Sequence, residues 1–191
     1  VSEPDIARIY AQIDGANMDV VRLEKAPKIA VYTPPNAQPW DDAVTMALDY
    51  ADIPYDKLWD AEVLNGALDD YDWLHLHHED FTGQYGKFYA SFHNEPWYQQ
   101  QQRTYEEQAR RLGFAKVSEQ KKAVARTIYD YVVGGGFLFA MCSATDTFDI
   151  ALAAQGVDIT HTLFDGDPLD SQAQAKLDFT KTVAFENFTI E

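Results

Sequence analysis

The sequence predicts an α/β domain, a three-layer sandwich built around a mostly parallel sheet. Short β-rich runs alternate with segments of helical periodicity, the pattern of strands linked by crossover helices. The β-rich runs are also too continuously apolar for a sheet with one wet face, which argues for helices on both sides. With 191 residues, 46% of them hydrophobic, the chain can fill one core but is short for two. No internal repeat or flexible linker divides it, so residues 1–191 read as a single domain.

The elements follow in order. Ser2 and Asp5 mark a helix start, Ile6, Ile9, Tyr10 and Ile13 recur at helical spacing, and Gly15 supplies a stop. Lys28 to Tyr32, KIAVY, is the first strand, closed by the turn residues Thr33-Pro34-Pro35-Asn36. Pro39, Asp41 and Asp42 open a helix with Val44, Ala47, Leu48 and Ala51 on one face, its acids suited to the positive end of the helix dipole. Tyr55 to Trp59 reads as a second strand and Glu62 to Leu68 as a helical turn. Tyr71 to His77 is a stronger strand carrying Trp73, Leu74 and Leu76.

From about residue 80 to 116 the chain is rich in aromatics and glutamines and too long for an ordinary connection, so it reads as a lid-like excursion. Within it, Tyr98 to Leu112 forms a mostly solvated helix ended by Gly113. Ser118 caps the next helix, with Val124, Thr127, Ile128 and Tyr131 inward, and Gly134-Gly135-Gly136 halts it. Phe137 to Met141 is an unbroken apolar strand, followed by a helix containing Phe148, Ala151 and Leu152. The tail from Asp165 is less regular, with Val183, Phe185, Phe188 and Ile190 marking a last strand or edge.

Composition narrows the function. A net charge of −16 repels phosphate backbones and anionic headgroups, which argues against nucleic acid or a membrane surface as partner. No apolar run approaches the roughly 18 residues of a membrane span, so no insertion is expected. The first residue is Val1 with no leader pattern behind it, which leaves a cytoplasmic chain and an exported chain with its signal peptide removed both open. One cysteine, Cys142, excludes an internal disulfide and every Cys-rich zinc scaffold. No Gly-rich phosphate loop with its lysine is present, and no cofactor is expected. The partner these features leave is a small molecule, an amide or another metabolite.

In sheets of this kind ligands sit beyond the carboxyl ends of the strands, where this chain carries TPPN, HHEDFTG and CSATD. Cys142 lies between an apolar strand and a helix, the setting of a nucleophile elbow. Ala140 and Ala144, two positions either side, are small enough for that bend. At a helix N-terminus the unpaired N–H groups favour a thiolate and can receive an oxyanion. Cys142 is therefore the candidate nucleophile, with Ser143 and Ala144 beside the incoming substrate; a small buried hydrophobe at a strand end is the bland alternative.

His75-Leu76-His77-His78-Glu79-Asp80 holds three of the five histidines. Strand alternation puts His75 and His77 on one side and His78 on the other unless the strand has already ended. His77 or His78, oriented by Glu79, could act as general base toward the thiol. Asp80, Gly83 and His161 complete the candidate substrate-binding set, Gly83 because a glycine lets backbone approach a ligand and offer an N–H. A metal site drawing on His75 and His77 is a weaker alternative, since zinc needs about three protein ligands. Asp165-Gly166-Asp167-Pro168-Leu169-Asp170 could hold a cation or a substrate ammonium but lacks the full calcium-loop pattern, and a solvated turn is the simpler reading.

Three segments also carry a resemblance: KIAVYTPPNAQPWDDAVTMALDYADIPYD, DYDWLHLHHEDFTGQYGKFYASF and GGGFLFAMCSATDTFDIAL, spanning most of residues 28–155. They resemble a bacterial asparagine synthetase B-like family whose members look like class I glutamine amidotransferases in fold. The resemblance implies a flavodoxin-like sandwich in which Cys142 attacks a carboxamide, releases ammonia first and forms a thioester. It also implies a histidine on a later strand with an orienting acid. After Cys142 this sequence has only His161 and no His-x-Glu. Related chains continue with a Gly-Gly-His-Asp segment, so the family's histidine is expected beyond residue 191. Ala140 and Ala144 stand where the family usually has glycines. No segment resembles an ATP-pyrophosphatase domain, so complete asparagine synthesis is not expected. The expected function is thus a glutamine amidotransferase-like cysteine hydrolase. The alternatives are a noncatalytic sugar- or metabolite-binding module on the same fold and a metal-assisted hydrolase at the histidine strand end.

Overall fold

In the computed structural model, residues 2–16, 26–34, 43–83 and 89–190 are described. The strands are β1 (Ile29–Tyr32), β2 (Tyr55–Leu58), β3 (Trp73–Leu76) and β4 (Phe137–Ala140). They form one all-parallel sheet in the order β2-β1-β3-β4. Helices α1 (Glu3–Gly15), α2 (Ala43–Tyr50), α3 (Asp60–Leu64), α4 (Tyr89–Phe92), α5 (Pro96–Arg111), α6 (Val117–Val133), α7 (Ser143–Ala153), α8 (Thr162–Asp165) and α9 (Ala173–Lys176) link and follow them. The fold is α/β, as the alternating pattern predicts.

Pleating sorts the core. Ala30, Tyr32, Leu58, Leu74 and Leu76 point to one face, where they meet Val63 of α3, Val124, Ala125 and Ile128 of α6, and Phe148, Ala151 and Leu152 of α7. Ile29 and Val31 point to the other face and pack against Val44 and Leu48 of α2. All four β1 residues are therefore buried, as a central parallel strand requires.

β4 departs from the expectation of a strand covered on both faces. It lies at the sheet edge, and Phe137 and Phe139 are 57% and 43% exposed, although both rings meet Trp73 edge-on. An apolar run cannot distinguish a central strand from an edge strand whose aromatics cover each other. Other boundaries shift for local reasons. The turn expected at Glu62 to Leu68 becomes α3, starting earlier at Asp60, and a separate 3₁₀ turn at Ala67–Asp70, because Gly66 adopts a φ of 85° between them. Ala47 and Ala51 of the second helix are exposed, and Thr45 is buried in their place. The helix start at Pro39 and part of the TPPN turn lie outside the described residues.

Ser118 does not cap α6. Lys116 holds the cap position, and Ser118 is buried in the first turn against Gly83. The segment from Val183 to Ile190 is not a strand. Its backbone is claimed instead by Asp149, a buried residue of α7 whose carboxylate accepts the N–H groups of Val183, Ala184 and Phe185 at 2.7–2.8 Å. A carboxylate that gathers three successive N–H groups on one helix leaves them none to offer a neighbouring strand. Among the described residues no helix is long and apolar enough to cross a membrane.

Candidate functional site

Parallel pairing in register brings the strand ends together: Tyr32 is level with Leu58 and Leu76, and Leu76 with Ala140. The segments that follow share one rim of the sheet, as the sequence predicts.

Cys142 sits on that rim as the N-cap of α7, with φ 56° and ψ −142°. This backbone region is close to one that only glycine adopts without cost, and a side chain held there stores on the order of 1–3 kcal/mol. The bend is pinned from several sides. Met141 N–H donates to the Leu76 carbonyl at 3.1 Å, continuing the sheet ladder up to the bend. Thr145 donates to the Cys142 carbonyl through Oγ1 at 2.7 Å and through its N–H at 3.2 Å. Ala144 is fully buried in the core, so its methyl is about the largest group the turn admits. Cys142 as a residue is exposed.

The HHEDFTG loop packs directly on this bend. Ser143 Oγ donates to the His78 carbonyl at 2.9 Å, and Thr147 Oγ1 donates to the Ser143 and Glu79 carbonyls at 2.6 and 3.2 Å. Because β3 ends at Leu76, strand alternation no longer separates His77 from His78. Their Nδ1 atoms lie 3.0 Å apart, so one ring donates and the other accepts, and the His77 ring stacks on His75. Glu79 is buried, and its carboxylate accepts the His77 backbone N–H at 2.8 Å, fixing the loop at the point where it leaves the sheet. Asp80 Oδ1 accepts both the N–H and the hydroxyl of Thr82, at 2.7 and 2.5 Å. Burial raises the Asp80 pKa, and the Thr82 bonds counter it in part.

Of the remaining candidates, Gly83 is buried with a φ of 77°, and a Cβ built on it would lie 2.4 Å from the Ser118 Cα. Close packing on α6 thus accounts for a glycine there. His161 is exposed at the cap of α8, where its Nδ1 accepts the Leu163 N–H at 3.1 Å. Its neighbour Thr160 reaches the Thr82 carbonyl at 3.4 Å, which places the His161 loop beside the HHEDFTG loop. The structure therefore ties the residues that follow Cys142, through Ser143 and Thr147, to the backbone of His78 and Glu79, and places the His161 loop at the far end of the same loop.

His75 is fully buried, stacked between the His77 and Phe139 rings. The one grouping of three possible metal ligands among the described residues is elsewhere, at Asp158, Asp165 and Asp167. There the Lys116 ammonium lies among the carboxylates at 2.6, 3.1 and 2.6 Å. Burial alone would lower the Lys116 pKa, but the three acids raise it. Asp170 pairs with Lys176.

Sequence reasoning missed the polar cluster beneath the rim. Asp60, at the carboxyl end of β2, accepts Lys121 Nζ at 2.8 and 3.0 Å, Gln120 Nε2 at 2.7 Å and the Tyr32 hydroxyl. Lys121 Nζ also meets Tyr32 Oη at 2.9 Å and lies 3.8 Å above the Trp59 ring. Burial and then the Asp60 charge push the Tyr32 pKa well up. A charge on the inward stripe of α6, level with Val117, Val124 and Ile128, was the legible signal.

No family model, curated protein or solved structure matches this chain.

Proposed function

We propose that this chain is a glutamine amidotransferase-like cysteine hydrolase on a flavodoxin-like sandwich, acting on a small carboxamide. One observation carries the reading: an exposed cysteine held in a strained, glycine-like conformation at the head of an eleven-residue helix. Backbone strain of this kind persists where the surroundings over-determine it, and it clusters at functional sites.

The chemistry follows from the position. Cys142 Sγ attacks the amide carbon, the carbonyl π pair moves to oxygen, and that oxyanion is received by N–H groups of the first turn of α7. Collapse expels ammonia, which takes up a proton as it leaves, and the acyl group stays on sulfur as a thioester until water hydrolyses it. His77 and His78, whose loop is tied to Ser143 through the His78 carbonyl, are the provisional proton carriers; His161 is the third. Ser143 and Asp80 border the space the substrate would occupy.

The test combines alkylation of the native protein by iodoacetamide with ammonia release from a panel of small amides, glutamine and asparagine included. The reading predicts modification of Cys142 in the native state and amide turnover that Cys142→Ala and Cys142→Ser abolish. A thiol inert until the protein unfolds, or ammonia release that survives Cys142→Ala, would falsify it.

A further inference from the structure

Lys122 neighbours the buried Lys121 but has none of its charge partners. Its side chain is buried, with only 7% of the residue exposed. Nζ donates to the Val157 carbonyl, and among the described residues no carboxylate lies within ion-pair distance of it. It borders a cavity of about 310 Å³ between α6 and the turn after α7, lined also by Ser118, Glu119, Gln155 and Asp158. That volume is at the lower end of ordinary small-molecule sites.

The groups around this amine are Lys116 and Glu119 from the start of α6, and Asp158 and Asp165 from the segment after α7. Lys116 adds positive charge but is already neutralised by Asp158, Asp165 and Asp167. Burial outweighs the nearby acids and lowers the Lys122 pKa. A larger share of this amine is therefore neutral near pH 7 than of a lysine in water. Desolvation in a protein pocket is a recognised way to make a lysine amine nucleophilic.

From the burial, the lone carbonyl partner and the cavity, we infer that Lys122 is a covalent attachment site for small neutral carbonyl compounds. The Nζ lone pair attacks the carbonyl carbon and the π pair moves to oxygen. A proton passes from nitrogen to oxygen to give a carbinolamine, and loss of water leaves the imine. Neutral aldehydes are favoured over 2-oxo acids because Glu119, Asp158 and the Asp165 and Asp167 carboxylates that share Lys116 outnumber that one cation around the cavity.

The experiment incubates the folded protein at pH 7 with propanal or with pyruvate, reduces any imine with cyanoborohydride, and maps the modified lysines by peptide mass spectrometry. Hydride addition to the imine carbon leaves a stable secondary amine. With propanal, Lys122 should be modified faster than the exposed Lys57 and Lys176, since a lowered pKa leaves more of the amine neutral. That preference should vanish in urea, and pyruvate should modify Lys122 more slowly than propanal does. Modification of Lys122 no faster than of Lys57 and Lys176, its absence, or equal reaction with pyruvate overturns the inference. Because the readout is on wild-type protein and does not involve Cys142, its failure leaves the amide hydrolase reading untouched.

Discussion

Replacing Cys142 with glycine should make the protein more stable while removing its only thiol. At φ 56° and ψ −142° a side chain costs on the order of 1–3 kcal/mol, which glycine escapes. Against this, glycine gives the unfolded chain more freedom, worth about 0.4–1 kcal/mol. Cys142 is exposed, so removal of the thiol leaves no cavity. The balance is a gain of about 1 kcal/mol, or a Tm rise of about 2–4 °C for a domain of this size. Cys142→Ala is the control, because alanine deletes the sulfur but keeps the Cβ and hence the strain. Urea denaturation and thermal melts at pH 7 should rank Cys142→Gly above wild type and Cys142→Ala close to wild type. If Cys142→Gly is no more stable than Cys142→Ala, the bend is unstrained and the argument from strain to function fails. Asp52 and Asn187 also have positive φ, at 53° and 60°, but they belong to residue types that visit the left-handed region readily, and they support no such argument.

Lys121→Met leaves Asp60 buried with only Gln120 and Tyr32, and should cost about 3 kcal/mol, lowering Tm by about 6–12 °C; a loss under about 1 kcal/mol would show that the pair is not desolvated. Gly83→Ala drives a Cβ to within 2.4 Å of the Ser118 Cα at a φ of 77°, and should destabilise by about 2–5 kcal/mol in the same urea assay. Asp80→Asn keeps an oxygen that can accept from Thr82 but removes a carboxylate whose folded pKa is raised. A raised carboxyl pKa contributes stability that is full below the unfolded value and is lost as pH rises through the folded value. The variant should therefore be more stable than wild type at pH 7, with the difference shrinking as pH falls through the raised folded value toward about 4 and constant below that; a pH-independent difference would contradict the sign.

The fold was legible where periodicity and punctuation agree. KIAVY and the face of Val124 and Ile128 bury as their spacing demands, whereas the apolar run at Phe137 forms an edge strand that leaves Phe137 and Phe139 exposed. The bend between β4 and α7 at Cys142 was legible too, since an apolar strand run gives way there to helical periodicity. What escaped were the interactions that a single residue imposes across the chain. The Asp149 carboxylate takes the backbone of Val183 to Phe185 out of any strand, and it lies 34 residues before the first of its partners. Gly83 excludes a side chain because of its close approach to Ser118. Of the three carboxylates of the acidic turn, Lys116 pairs with Asp165 and Asp167 and Lys176 pairs with Asp170. Local pattern carries none of the long-range pairings, because each depends on where two distant segments meet.

The strain at Cys142 also explains why the rim is built so firmly below it. A residue in an unfavourable conformation relaxes unless its neighbours cannot move. Above the sheet, Ser143 and Thr147 tie α7 to the backbone of His78 and Glu79, and the Glu79 carboxylate returns to the His77 N–H. Below, the Asp60 and Lys121 cluster locks the end of β2 to α6, and Gly83 locks the far end of the histidine loop to the same helix. The cysteine bend and the histidine loop are thus held by one scaffold, so a movement of α6 would be felt at both. On the proposed reading, a single rigid frame would keep Cys142 and the histidines in register without either segment being long or regular, which is how four-residue strands could support a demanding site.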